Sequence, residues 1–372
     1  MGDAPELPWI CALPYLPVRE PVEFAGWWLG PVTAFAGPWR DPQFHDAVGE
    51  FLDSFRTASG QPVKKPALLV RRETGANGVA PTLAEFHALE LAIGLATIDA
   101  NAFWSPENEQ DGYRIATADN ADLWVQSIDV EHRRITLERG LRVRTIAGGH
   151  RIGTDDFFIP APLELHLPSG VGLDADVLEA VYRTALEQGD EPRAEAVLVA
   201  IRWLLKTWLN STSVSIEDRI VLLKIASEAL TGKDKTHEGG AQLVALFASA
   251  GEQPGEGIGT DGLLWQPDER RLKRVWSNRS GEKSHSELTL LEHWYGALGD
   301  ARNKIVHEGG ASSLVYEEDS PYAGPFVEIG DRVIREAITV ELGNLGYPAV
   351  WRRGLTRASF RMWERLSAGD VE

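Results

Sequence analysis

One stretch of the 372-residue chain, Arg302-Asn-Lys-Ile-Val-His307, combines residue types that could act on a phosphate. An arginine guanidinium presents a planar fork of donors that matches phosphate oxygens, and it stays charged. Histidine changes charge close to neutral pH, which suits it to proton transfer. An amide such as Asn303 can orient either the imidazole or the phosphate. Taken alone, His307 near a helix end could equally be a partner of the helix dipole. Arg302 could equally be one half of an ordinary ion pair.

The stretch sits in a longer segment, 286–310, whose apolar spacing predicts one long helix with Gly309-Gly310 as its stop. At 100° per residue, Leu290, Leu291, Trp294, Tyr295, Ala297, Leu298, Ala301 and Ile305 fill one half of the wheel, with Leu288 and Val306 at its edge. Glu292, His293, Asp300, Asn303, Lys304 and His307 fall on the other half. Arg302 breaks the division, because it lies inside the apolar arc between Leu291 and Tyr295. A guanidinium is rarely buried without a partner, so Arg302 either snorkels past the stripe or meets a deliberate partner. Asn303 and His307 are four residues apart and share a face. Arg302 points well away from His307 on an ideal helix. One site containing both needs a distorted helix end or a second copy of the helix.

The spacing of Arg302-Asn-Lys-Ile-Val-His307 resembles the Arg-Asn-x3-His signature of the HEPN superfamily. The Glu-Gly that follows it fits, as does Gly299-Asp-Ala301 before it. A second helix predicted over Ser215–Gly232 resembles the penultimate core helix of the Apea-like branch. The resemblance covers 174–372. It implies an all-α HEPN-like helical bundle and a homodimer paired through the Arg302 helix, with both copies of Arg302 and His307 lining one cleft. It also implies a metal-independent endoribonuclease with no cofactor. The 2′-hydroxyl of RNA attacks the adjacent phosphate, leaving a cyclic phosphate and a free 5′-hydroxyl. Glu228 stands where the family tends to carry an acidic residue, and the implied role is to hold Arg302. The alternative within the same resemblance is a non-catalytic dimerisation or RNA-binding scaffold. Phosphoryl transfer of another kind would need a metal-binding carboxylate pair, and the sequence offers none.

Composition narrows the class further. The net charge of −18 argues against broad, nonspecific coating of nucleic acid. A local basic site remains open. Between Arg270 and Lys283, six cations (Arg270, Arg271, Lys273, Arg274, Arg279 and Lys283) stand against Glu282 alone, with Trp265 and Trp276 in or beside the stretch. This is either a solvated basic loop or helix, or a weak RNA contact. No apolar run reaches the roughly 18 residues that span a bilayer. The start of the chain has no basic region followed by an apolar one, and Cys11 is the lone cysteine. The expectation is a cytoplasmic protein with no membrane partner.

Two regions are expected. Residues 1–165 read as an α+β module that would sense a trigger or select a substrate. Prolines favour extended chain around Leu7–Val18, and a short helix is expected over Asp41–Ser59. A strand at Ala67–Arg71 and a helix over Thr82–Ala100 follow. A β-rich run comes next, at Tyr113–Thr117, Leu123–Asp129 and Ile135–Ile146. From 174 the pattern turns helical, with helices predicted over Asp176–Gln188, Glu195–Leu209, Ser215–Thr231, Ala241–Ala248, Asp331–Asn344 and Pro348–Leu366. Ser215 and Asp218 resemble a capping box. The loop 251–262 is rich in glycine but lacks Gly-Lys-Ser/Thr, so it is not a phosphate-binding P-loop. His285, His293, Glu287 and Glu292 read as surface and His237 as loop, so no metal site is expected.

Overall fold

The structure is a computed structural model. It describes residues 9–34, 52, 55, 63, 66–72, 81–100, 118–129, 134–136, 170–188, 191–209, 214–233, 235–249, 272–277, 283–288, 290–309 and 325–348. The chain divides into two compact units, the second beginning its main run at Glu187.

The first unit is built on an antiparallel sheet of six strands: β1 (Trp9–Leu13), β2 (Val22–Phe24), β3 (Trp27–Pro31), β4 (Ala67–Arg71), β5 (Trp124–Asp129) and β6 (Arg134–Thr136). Their order is β2-β3-β4-β1-β5-β6. The β2–β3 hairpin closes on Ala25 and Gly26, both at positive φ (43° and 83°), the two-residue turn whose twist matches that of the strands. Leu13, Leu29, Leu68 and Leu69 are buried. Helix α1 (Leu83–Asp99) starts on a capping box, in which the Thr82 hydroxyl accepts from the Glu85 N–H and the Glu85 carboxylate accepts from the Thr82 N–H. Glu85 also takes Arg71 of β4 at 2.5 Å, and the Arg71 guanidinium stacks over Trp27. Helix α2 (Ala175–Glu187) brings Tyr182 to this group, where its hydroxyl accepts from the Trp27 indole at 3.0 Å.

The second unit is mainly helical: α3 (Pro192–Thr207), α4 (Ile216–Thr231), α5 (Thr236–Ser249), α6 (Leu290–Glu308) and α7 (Pro325–Asn344). Pro192 opens α3 at a position where a missing N–H does no harm. Ser215 and Asp218 form the expected capping box of α4, and Gly232, at φ +62°, ends that helix. Helix α7 lies in the core with Val333, Ile334, Ala337 and Ile338 buried. It buries charge as well, and pairs it. Asp331 meets Arg335 at 2.9 Å and receives the Trp208 indole, Arg332 meets Glu336, and Glu341 meets Arg193. Buried charges persist only with such partners.

The architecture is thus an antiparallel sheet with helices near the N-terminus and mostly helices afterwards. Strand β4 and helices α1 and α4 lie where the sequence placed them. Four expectations change. The helix expected over Asp331–Asn344 begins earlier, at Pro325. The 286–310 helix begins only at Leu290, because 283–288 is a strand. The basic stretch is neither a loop nor a helix over its described residues. Instead β7 (Leu272–Ser277) pairs antiparallel with β8 (Lys283–Leu288), Arg274 opposite Ser286 and Lys273 opposite Glu287. The helix expected at 241–248 is longer, beginning at Thr236. The expected strand at 113–117 and the loop at 251–262 lie outside the described residues, as do most of the strand expected at 135–146 and of the helices expected at 41–59 and 348–366. Among the described residues no helix is long and apolar enough to cross a membrane.

Candidate functional site on helix α6

Helix α6 is held from one end. Leu291, Trp294, Tyr295, Leu298 and Ala301 are buried, with Trp294 and Tyr295 fully so. The neighbouring α5 runs antiparallel to it at close range. A Cβ added at Gly239 would come within 2.5 Å of the Tyr295 hydroxyl, and one at Gly299 within 2.6 Å of the Thr236 hydroxyl. Since Thr236 is the first residue of α5, that helix begins opposite Gly299. The remainder of α6, Asp300–Glu308, runs on for about 13 Å at 1.5 Å per residue. Gly309 then ends the helix at φ +74°, donating its N–H to the Ile305 carbonyl at 3.1 Å.

The candidate residues lie in this part of the helix, past the start of α5. Arg302 is half-buried, and its Nη1 donates to the Asn303 side-chain oxygen at 3.1 Å. Asn303, Lys304, His307 and Glu308 are exposed. Val306, expected at the edge of the buried stripe, is 49% exposed. Of the expected arc, Leu291, Trp294, Tyr295, Leu298 and Ala301 are thus buried and Ala297 is half-buried. Beyond Ala301 the arc continues, but α5 no longer lies alongside it. Arg302 is accordingly not a core arginine. Its guanidinium and the Asn303 amide form a small polar unit at the surface, and Asn303 faces Arg302 rather than His307.

Glu228 does not hold Arg302. Its carboxylate lies 3.4 Å from Lys224 Nζ, one turn earlier on α4. Lys224 is only 2% exposed. Its Nζ donates to the Tyr295 hydroxyl at 2.8 Å and sits 4.0 Å from the centre of that ring, while the Ser227 hydroxyl lies 3.4 Å from the same oxygen. Lys224 is absent from the expected site residues; its one signal in the sequence is a face shared with Ile220, four residues before it, and Ser227, three after, which the structure buries.

Of the basic stretch, Lys273 and Arg274 lie on β7 and Lys283 on β8, whereas Arg270, Arg271 and Arg279 lie outside the described residues. The hairpin leads into the N-terminal end of α6. Arg302 and His307 stand 12 and 17 residues beyond Leu290, about 18 and 26 Å along the axis. Neighbours in sequence are thus at opposite ends of the helix. On the helix itself Arg302 and His307 differ by about 140° in direction and about 7.5 Å in height, so one copy of α6 cannot aim both at a single phosphate.

The fold and this site define a protein with an antiparallel-sheet unit, a mainly helical unit and an exposed Arg-Asn-x3-His helix end. No protein-family model, curated protein or solved structure matches the chain.

Proposed function

We propose that the protein is a metal-independent endoribonuclease of HEPN type, working as a homodimer in which two copies of α6 pair at their C-terminal ends. A single observation carries the reading. The last two turns of α6 hold Arg302, Asn303 and His307 at the surface, beyond the point where α5 supports the helix. A helix whose only task was to fill the core would end with its packing. Pairing two copies answers the divergence of Arg302 and His307, because the arginine of one copy can face the histidine of the other.

In this reaction one imidazole takes the proton of the 2′-hydroxyl as that oxygen bonds to phosphorus. The bond from phosphorus to the 5′ oxygen breaks, and the partner imidazole, protonated, gives that oxygen its proton. The products are a 2′,3′-cyclic phosphate and a 5′-hydroxyl. The guanidiniums meet the negative charge that builds on the phosphorus oxygens. Asn303 keeps Arg302 aimed. A role in defence or stress response, in the cytoplasm, would suit such an enzyme, with the sheet unit selecting its substrate.

The second reading, a non-catalytic RNA-binding or dimerisation scaffold, draws its support from the net charge of −18. Purified protein incubated with mixed cellular RNA in EDTA separates the two. The endoribonuclease cleaves and leaves cyclic phosphate ends, while Arg302→Ala and His307→Ala lose cleavage by at least about a hundredfold. A folded wild-type dimer that binds RNA without cutting it would leave the scaffold.

A further inference from the structure

We infer that Lys224, Tyr295 and Gly239 form a clamp that sets the direction of the α6 end, and so act as positioning residues for Arg302 and His307; the catalytic part of this inference rests on the proposed ribonuclease reading. Tyr295 is fully buried between α4 and α5. From the α4 side its hydroxyl receives Lys224 Nζ at 2.8 Å and lies 3.4 Å from the Ser227 hydroxyl. From the α5 side it fills space that any side chain at Gly239 would deny it, since a Cβ there would stand 2.5 Å away. The Tyr295 hydroxyl thus fixes α6 against both neighbours at once.

Leu291, Trp294 and Leu298 supply apolar burial, which has little directional preference. A lysine drawn out of water is an expensive way to add stability, and apolar replacements of similar volume often serve as well. What the hydrogen bond adds is orientation. Orientation matters here because the end of α6 is a lever. His307 stands 12 residues past Tyr295, about 18 Å. A tilt of about 10° at Tyr295 would move it by about 3 Å, where displacement of a reacting group by about 1 Å can cost a hundredfold in rate.

The test uses the full chain with a trifluoromethyl tag on Glu308→Cys, an exposed position on the last turn. The native Cys11 is buried, and burial pushes its thiol up to about 12, so it resists labelling. Into this background go Lys224→Met with Tyr295→Phe, which removes both polar groups and keeps their volume. The parent should show one fluorine resonance. The double variant should keep its melting temperature within about 4 °C and show a broadened or split resonance. Its kcat for RNA, measured without the tag and with Glu308 restored, should fall at least about tenfold, with KM within about twofold. Lys224→Met alone, which leaves Ser227 beside the hydroxyl, should give the same spectral change more weakly, and it serves if the double variant does not fold. An unchanged resonance, or an unchanged kcat in an active enzyme, overturns the clamp. A changed resonance in a protein whose untagged parent never cuts RNA supports the clamp and removes the ribonuclease reading.

Discussion

At the scale of single residues, the pair Arg302–Asn303 decides what the motif can do. The guanidinium is not neutralised by Glu228, which serves Lys224. It is steadied by a neutral amide at 3.1 Å and keeps its full charge for a phosphate. This predicts a graded response at Asn303. Asn303→Ala removes the acceptor and should lower cleavage about tenfold, the scale of one hydrogen bond to a charged group. Asn303→Asp retains an acceptor and should hold Arg302 in place, but its negative charge should weaken RNA binding. Initial rates and KM on a short labelled RNA check both. If Asn303 served His307 instead, both variants would lower kcat alike.

At the scale of elements, the caps and the close helix contact are the exposed points of the design. Ser215→Ala breaks the box that starts α4 and should cost about 1 kcal/mol, read from urea unfolding of the helical signal. Gly239→Ala would press a methyl group on the Tyr295 hydroxyl and should destabilise by about 1–3 kcal/mol. In the sheet unit, Glu85 links α1 to β4. Burial alone would raise its carboxyl, but the Thr82 N–H, Arg71 and the Thr82 hydroxyl together outweigh burial and leave it below its ordinary value. A carboxyl held lower in the folded state than in the unfolded one stabilises the fold above its unfolded pKa. That contribution is lost as pH falls through the folded value. Urea unfolding followed by tryptophan fluorescence should therefore show stability falling below about pH 4.5. In Glu85→Gln the fall should be shallower, and equal slopes would remove Glu85 from the account.

At the scale of the whole molecule, charge limits how RNA is held. With a net charge of −18, contact must be local. Arg302 and Lys304 from two copies would meet about four phosphates, so log K should fall with log salt at a slope near −3, at about 0.7 per phosphate for a single strand. His307→Ala allows this to be measured without cleavage. A slope near −6 would bring the β7–β8 hairpin into the contact surface, although it enters α6 at the opposite end from Arg302. Sequence distance is a poor guide here, since a straight helix carries the chain about 26 Å between Leu290 and His307.

Much of this organisation is written locally. The strand at Ala67–Arg71, the α1 and α4 boundaries and the stop at Gly309 depend on a short apolar run, caps and glycine conformations that involve a few neighbouring residues. The buried arc of α6 is local too, because a period of 3.6 residues fixes which side chains share a face. Whether that face is covered is not local. The Leu288–Leu291 spacing reads as helix, but β7 supplies a partner strand and claims 283–288 for a hairpin. The arc through Arg302 and Val306 reads as core, but α5 begins only opposite Gly299. Glu228 reads as a partner for Arg302, but Lys224 lies one turn away on its own helix. Burial and pairing depend on where other elements start and stop, and only the tertiary structure supplies that.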